Sequence, residues 1–167
     1  MNDNSKSQNL ASNKLLYLTD KEINDGIEAI MFAYRAFTSE ADSILASSGY
    51  GRAHHRALHF INNRPTLNIS QLQEILAISK QSLNRVLRQL INDSLVESRS
   101  DPKDRRSRHL ILTPTGQQLA RKLADVQHNH IRTAYLKAGP EAVAGFRSVL
   151  DHLTNPGDQE LAKLNDQ

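Results

Sequence analysis

The chain contains no cysteine in its 167 residues, which excludes a disulfide framework, thiolate metal sites and a thiol-oxidation switch. Tryptophan is also missing, and aromatic residues make up only 5%. Apolar residues reach 38%, which is lean for a self-contained monomer and suits a largely helical chain that buries surface against a second copy. No apolar run approaches the ~18 residues needed to span a bilayer. The opening stretch MNDNSKSQNLASNK lacks the apolar core of a secretory signal, so no membrane contact and a cytoplasmic location are expected. Signatures of catalysis are missing too: there is no phosphate loop, no HExxH and no nucleophile elbow. No catalytic residue, cofactor or resident metal is therefore assigned, and an enzyme is not expected.

What is present is unevenly distributed. Net charge is +3 for the whole chain. Between Ser79 and Arg108, however, eight Lys/Arg face four Asp/Glu, and the remainder is close to neutral. A local positive field on a neutral body suits a surface that meets a polyanion.

Punctuation and periodicity divide the chain. Residues 1–18 are polar and expected to be disordered. Thr19-Asp20-Lys21-Glu22 forms a capping box that opens a long helix within 19–48. Its apolar positions Ile23, Ile27, Ile30, Tyr34, Phe37, Ala41 and Ile44 follow a strict alternation of three and four, a narrow seam suited to another helix. Arg52 to Arg64 reads as a second helix with Ala53, Ala57, Leu58, Phe60 and Ile61 inward, stopped by Pro65. Ser70-x-x-Gln73 is a further capping box for a short helix, and Ser79 caps the next, KQSLNRVLRQLIND. Leu95–Arg99 and His109–Thr113 flank a turn containing Asp101-Pro102 and read as a two-stranded hairpin. A long helix from Pro114 or Thr115 to about Ala138 follows, then Gly139-Pro140 and a last helix to about Leu153. The segment 154–167 reads as a flexible tail.

The fold expected is mainly α with a small β-hairpin wing. A winged helix-turn-helix domain (51–114) is joined to a dimerisation helix at 19–48 and C-terminal dimerisation helices at 115–153. Leu119, Leu123, Val126 and Ile131, with Val143, Phe146, Leu150 and Leu153, need cover, which a C2 homodimer would give. The alternative is one intramolecular bundle.

Turning the helix after Ser79 through ~100° per residue places Leu83, Val86, Leu87 and Leu90 on one face. Gln81, Asn84, Arg85 and Arg88 fall on the other, with Ser82 in the first turn and Gln89 at the margin. Arginine forks onto guanine, and Asn or Gln pairs with adenine, so these types suit base edges in a major groove. They are equally ordinary on a solvated helix face. The hairpin weighs toward recognition of double-stranded DNA: Lys103, Arg105 and Arg106 crowd its tip, with Arg99 and Arg108 at its base for phosphates. An arginine there gains from the concentrated negative potential of a minor groove. Asp104 would hold a neighbouring arginine in a fixed pose. A solubilising turn is the competing account.

DPKDRRSRHLILTPTG resembles the wing signature of the MarR family of winged-helix regulators, D-x-x-D-x-R followed by an apolar strand and L-T-x-x-G. SLNRVLRQLINDSLVESR is similar to that family's recognition helix running into its first wing strand. The resemblance implies a homodimer with interlocked terminal helices, Arg106 in a minor groove, Asp104 as its orienting partner, and Ser82, Asn84 and Arg85 at recognition positions. Two departures stand out: serine at position 94, where the family usually has glycine, and Asn84 where a hydroxyl residue is common. The resemblance also implies a repressor that competes for a palindromic promoter operator and responds to a ligand. A winged-helix architectural or protein-binding module is the alternative.

GRAHHRALHF clusters His54, His55 and His59 with Arg52 and Arg56. His55 and His59 have a spacing that can hold a metal, but no cysteine or nearby acid completes a set. Histidines of this kind more often satisfy buried groups. Given the family, these five residues are also candidates for an effector pocket taking a small anionic or aromatic molecule.

Overall fold

The computed structural model describes residues 16–64, 66–100 and 108–163. These fall into two compact units, divided after Ser39. Among the described residues no helix is long and apolar enough to cross a membrane.

The first unit holds a 3-10 turn at Leu16–Leu18 and the start of helix α1 (Asp20–Ala46). The Thr19 hydroxyl accepts the Glu22 N–H at 3.3 Å. Asp20 and Glu22 in the first turn complement the positive end of the helix dipole. The first four positions of the expected seam, Ile23, Ile27, Ile30 and Tyr34, are exposed.

The second unit begins at Glu40 and takes the end of α1 into its core through Ala41 and Leu45. Helices α2 (Arg52–Asn63), α3 (Ile69–Leu76) and α4 (Lys80–Asn92) follow. An antiparallel hairpin comes next, β1 (Val96–Ser100) and β2 (Arg108–Leu112), with Val96 opposite Leu112 and Ser100 opposite Arg108. Then come α5 (Pro114–Ala138), α6 (Pro140–Leu153) and α7 (Pro156–Lys163). Leu58, Leu72, Leu76, Leu83, Leu90, Val96, Leu110 and Leu123 are fully enclosed, so one apolar cluster joins α2, α3, α4, the hairpin and α5.

The observed order matches the mainly helical winged arrangement, with four differences of detail. Helix α3 starts two residues earlier than the Ser70 box suggests. Asn68 Oδ1 accepts the Gln71 N–H at 2.9 Å and Gln71 Oε1 accepts the Asn68 N–H at 3.0 Å, closing a reciprocal box two residues upstream. Both strands are shifted by one residue from the expected limits. Leu123 is enclosed by its own chain, and Leu119 and Val126, half-buried, pack on the same cluster. Within the described part of the expected loose tail, 154–163, the chain forms α7. Pro156 stands at its start, the Asn155 carbonyl accepts the Gln159 N–H at 3.0 Å, and Arg64 Nη2 donates to the Leu161 carbonyl at 2.6 Å. Arg64 is buried, with its guanidinium 5.2 Å from the Phe60 ring centroid. A cation at a helix C-terminus is favourable, and this one comes from 97 positions away, beyond any local sequence signal.

The join between α4, β1 and α5 explains the L-T-x-x-G pattern. Leu95 N–H donates to the Leu90 carbonyl at 2.8 Å and Ser94 N–H to the Ile91 carbonyl at 3.0 Å, which is a Schellman ending. That ending puts Ser94 at φ +56°, the left-handed region that favours glycine. The Thr113 hydroxyl donates to the Ser94 carbonyl at 2.6 Å and accepts the Gly116 N–H at 3.0 Å. Gly116 then lies so close to the Leu95 carbonyl that a Cβ there would collide with backbone. Gly116→Ala is therefore expected to destabilise the fold by about 1–3 kcal/mol, read as a lower urea midpoint. Ser94→Gly relieves the left-handed strain and should raise the midpoint, by about 1 kcal/mol.

Candidate nucleic-acid interface

Helix α4 is set by its cap. Ser79 is extended, its hydroxyl accepts the Ser82 N–H at 3.2 Å and donates to Ser82 Oγ at 2.9 Å. Ser82 is thus half-buried and engaged in the cap. From there Leu83, Val86, Leu87 and Leu90 are buried, while Gln81, Asn84, Arg85 and Arg88 are exposed on the opposite face. The structure brings these four expected readers onto one solvent-facing surface.

The turn into α4 needs Ala77 in the left-handed region, at φ +51°. Helix α2 braces that turn. Arg56 Nη1 donates to the Leu76 carbonyl at 3.0 Å and Nη2 to the Ile75 carbonyl at 3.1 Å, answering carbonyls that the end of α3 leaves open.

The hairpin is anchored at its root and carries arginines along its edges. Leu110 N–H donates to the Leu67 carbonyl at 2.9 Å, and His109 bridges to Asn68, so the segment before α3 adds to the sheet. Arg99 is exposed and donates from Nε and Nη2 to Glu97 Oε2, at 3.1 and 3.0 Å. Arg108 is exposed and donates to Ser98 Oγ and to the Ser98 carbonyl, each at 2.9 Å. Both guanidinium groups are laid along the strands rather than free to swing. Lys103, Asp104, Arg105 and Arg106 lie outside the described residues.

The five basic residues of α2 are drawn into internal contacts. Arg52 pairs with Asp42 at 2.9 Å. His54 Nδ1 accepts the Gly51 N–H at 3.1 Å. His55 is buried, and burial holds its imidazole below the ordinary range against the opposing pull of Asp42 and a hydrogen bond with Gln127. His59 meets the Asn63 carboxamide at 3.3 Å and stacks edge-on with Phe60. Among the described residues no group of three or more His, Cys, Asp or Glu is placed to hold a metal. An open groove of about 690 Å³ lies elsewhere, at the α5–α6 junction, lined by Ile131, Tyr135, Leu136 and Val143 with His128 and Arg132. Residue chemistry alone gave no sign of it, because its walls come from two helices separated by the Gly139-Pro140 break.

Comparison with known proteins bears on this geometry. A model of the MarR family matches residues 48–107, from the start of the helix-turn-helix region to the hairpin. The HTH-type transcriptional regulator PetP of Rhodobacter capsulatus is 55% identical over 142 residues, covering 85% of this chain and 86% of that protein. The chain belongs to the MarR family. This MarR-family chain is a DNA-binding helix-turn-helix transcriptional regulator and not an enzyme. Solved structures share the fold at low identity. A MarR-family regulator from Silicibacter pomeroyi superposes with TM-score 0.63 at 21% identity, covering 75% of this chain and 84% of that one. The S. aureus MepR–DNA complex gives TM-score 0.61 at 16% identity, covering 75% and 93%.

Two outcomes follow from the bracing contacts. Arg56→Ala leaves the α3 carbonyls unanswered and should cost about 1–3 kcal/mol in urea unfolding. The second concerns pH. His54 and His55 are both held below their usual value of 6.5, with burial the largest cause. Below about pH 6.5 the unfolded chain takes up protons that the folded chain resists, so stability is lost as pH falls. The urea midpoint should drop between about pH 7.5 and about pH 5.5, and less in His55→Gln.

Proposed function

We propose that this MarR-family regulator acts as a homodimeric, ligand-responsive repressor that competes for a palindromic promoter operator in the cytoplasm. The observation that carries the DNA reading is the exposure of Gln81, Asn84, Arg85 and Arg88 on one face of α4, beside an arginine-bearing hairpin. Their types match base-edge recognition in a major groove. Arg99 and Arg108 at the hairpin base suit phosphates. Arg106, by its place in the wing motif, is the residue for the adjacent minor groove, with Lys103 and Arg105 on the backbone and Asp104 orienting it.

Support for the dimer comes from uncovered apolar surface in each unit. In the first, Ile23, Ile27, Ile30 and Tyr34 are exposed on one helix face. In the second, Phe146, Val149, Leu150 and Leu153 on α6 are exposed. Contiguous faces of this size call for a cover, and a two-fold partner supplies one while presenting two copies of α4 to two half-sites about one DNA turn apart. The effector reading keeps Arg52, His54, His55, Arg56 and His59 on α2 as candidates and adds a second, the open α5–α6 groove. Its apolar walls suit an aromatic ring and Arg132 suits a carboxylate. Occupancy there would alter the spacing of the two DNA-reading lobes.

The test is fluorescence anisotropy on DNA upstream of the chain's own gene against a scrambled duplex, at several salt concentrations. Affinity for the first duplex should be higher and fall steeply with salt. Arg106→Ala should lose much of the specific affinity with helix content and assembly intact. Arg85→Ala should relax sequence preference, costing about 1–3 kcal/mol at the contacted base. Equal affinity of wild type and both variants for the two duplexes would refute the assignment. For assembly, sedimentation should give a dimer, and Phe146→Glu with Ile27→Glu should shift it to monomer. An unchanged dimer in that double variant would refute the assigned faces.

A further inference from the structure

Two helix ends in the second unit close in the same kind of turn, and a side-chain hydrogen bond joins the two turns. At the end of α1, the Gly49 N–H donates to the Ala46 carbonyl and the Tyr50 N–H to the Leu45 carbonyl, each at 3.2 Å, with Gly49 at φ +69°. At the end of α4, the Ser94 and Leu95 amides make the matching pair with the Ile91 and Leu90 carbonyls, and Ser94 is at φ +56°. Both are Schellman endings. Leu45 and Leu90, which carry the outer acceptors, are fully enclosed. Tyr50 closes the first turn and Asp93 opens the second. The Tyr50 hydroxyl donates to Asp93 Oδ2 at 2.7 Å. The Tyr50 ring is half-buried, packs on the core and lies 5.2 Å from the His54 ring, so the hydroxyl is aimed rather than free to swing. Burial first, then the bond to Asp93, push its pKa up to about 12, so it remains a donor. Asp93 is the C-cap of α4. A carboxylate there meets the negative end of the helix dipole, and the Tyr50 O–H offsets that repulsion.

We propose that Tyr50 is a positioning residue for DNA recognition: through Asp93 it fixes the tilt of α4 against the end of α1. This rests on the reading of α4 as the DNA-contacting helix. Leu83, Val86, Leu87 and Leu90 hold α4 to the core, but burial is non-directional and permits small rotations. A hydrogen bond is directional and weakens over a few tenths of an ångström. The lever is long. Helix α4 runs from Lys80 to Asn92, about 20 Å at about 1.5 Å per residue. A tilt of about 5° about the Asp93 end moves the Gln81 end by about 1.5 Å, enough to take a base contact out of hydrogen-bond range. Gln81, Asn84, Arg85 and Arg88 share that motion, because they sit on one face of one helix. Phosphate contacts made by long side chains tolerate it and carry no sequence information. The bond therefore bears on discrimination between sequences more than on affinity for DNA as such.

Three substitutions isolate the contact. Tyr50→Phe keeps the ring and its packing and removes only the donor. Asp93→Ala removes the acceptor, while Asp93→Asn, equally uncharged, keeps one. The first measurement needs no DNA: residual dipolar couplings of the backbone amides in the full-length protein, which report the angle between α4 and residues 40–46 of α1. Wild type and Asp93→Asn should share one angle, and Tyr50→Phe and Asp93→Ala should depart from it. The second measurement uses a duplex selected from random sequence. Discrimination against a scrambled duplex should fall about tenfold in Tyr50→Phe and in Asp93→Ala, within the cost of one lost base contact. Affinity for the scrambled duplex should hold within about twofold at matched charge, Tyr50→Phe against wild type and Asp93→Ala against Asp93→Asn. The double variant Tyr50→Phe with Asp93→Ala should lose no more than either alone, as partners in one contact do.

An α4 angle unmoved in Tyr50→Phe and Asp93→Ala overturns the proposal. So do additive losses in the double variant, and a loss in Asp93→Asn equal to that in Asp93→Ala. Equal losses on the selected and scrambled duplexes overturn it too, since they mark general loosening of the fold. If one single variant does not fold, the other decides by the same two measurements. A selection that enriches no sequence, with the α4 angle still following the Tyr50 hydroxyl, overturns the DNA-reading role of α4 and with it the recognition role of Tyr50.

Discussion

The reading surface depends on how α2 holds the helix-turn-helix. A two-helix unit joined by a short turn has no internal means of fixing its angle, since each helix end leaves carbonyls or amides without partners. Here α2 and the corner before it answer both halves. Arg56 takes the last carbonyls of α3, and Tyr50, just ahead of α2, donates its hydroxyl to Asp93 where α4 ends. The turn between them costs left-handed strain at Ala77. It persists because the apolar side of the unit, Leu72, Leu76, Leu83 and Leu90, is enclosed. Burial supplies the cohesion, and the polar contacts select one geometry from those that burial alone would permit.

The hairpin is positioned by a second set of constraints, more local in sequence. Its first strand leaves α4 through the Ser94 turn, and its second strand runs into α5 through Thr113. The Thr113 hydroxyl bonds back to the Ser94 carbonyl, so both strand ends meet at one residue. Gly116 allows that meeting by leaving room for the Leu95 carbonyl. The wing therefore leaves the domain in a direction set by α4 and α5 together. Guanidinium groups laid along it, such as Arg108 on Ser98, have lost part of their rotamer freedom before any ligand arrives. Less remains to be lost on binding.

Much of this was legible in the sequence, for reasons that differ by element. The long helices and the face of α4 follow from periodicity, because a buried stripe opposite a polar one admits few registers. The wing motif was legible because its Thr113 and Gly116 are fixed by close contacts. What escaped was long-range. Helix α7 reads as loose polar sequence until Arg64 arrives to meet its end. Asn68 and Ser70 both fit a cap pattern, and only the enclosure of Leu72 and Leu76 decides between them. Leu123 looks like partner surface by spacing but is covered from within. The basic cluster of α2 suggested a metal by the spacing of His55 and His59, and an effector pocket by the family resemblance. Its actual partners are backbone carbonyls, Asp42 and a cap, which no count of charges along a helix can show.

Those partners also explain how a chain of net charge +3 can present a positive field on one side. Arg52 is matched by Asp42 and Arg99 by Glu97, so these guanidinium groups add little at a distance. Arg108 leans on Ser98, which is neutral. Arg85 and Arg88 have no ion-pair partner among the described residues, so their charge is uncompensated. Exposed charges more than about 10 Å apart are screened from each other at ordinary ionic strength, so distant acids elsewhere in the fold do not cancel them. The field that a polyanion would meet is thus set by which arginines are left unmatched, and these lie on α4 and on the second strand of the hairpin.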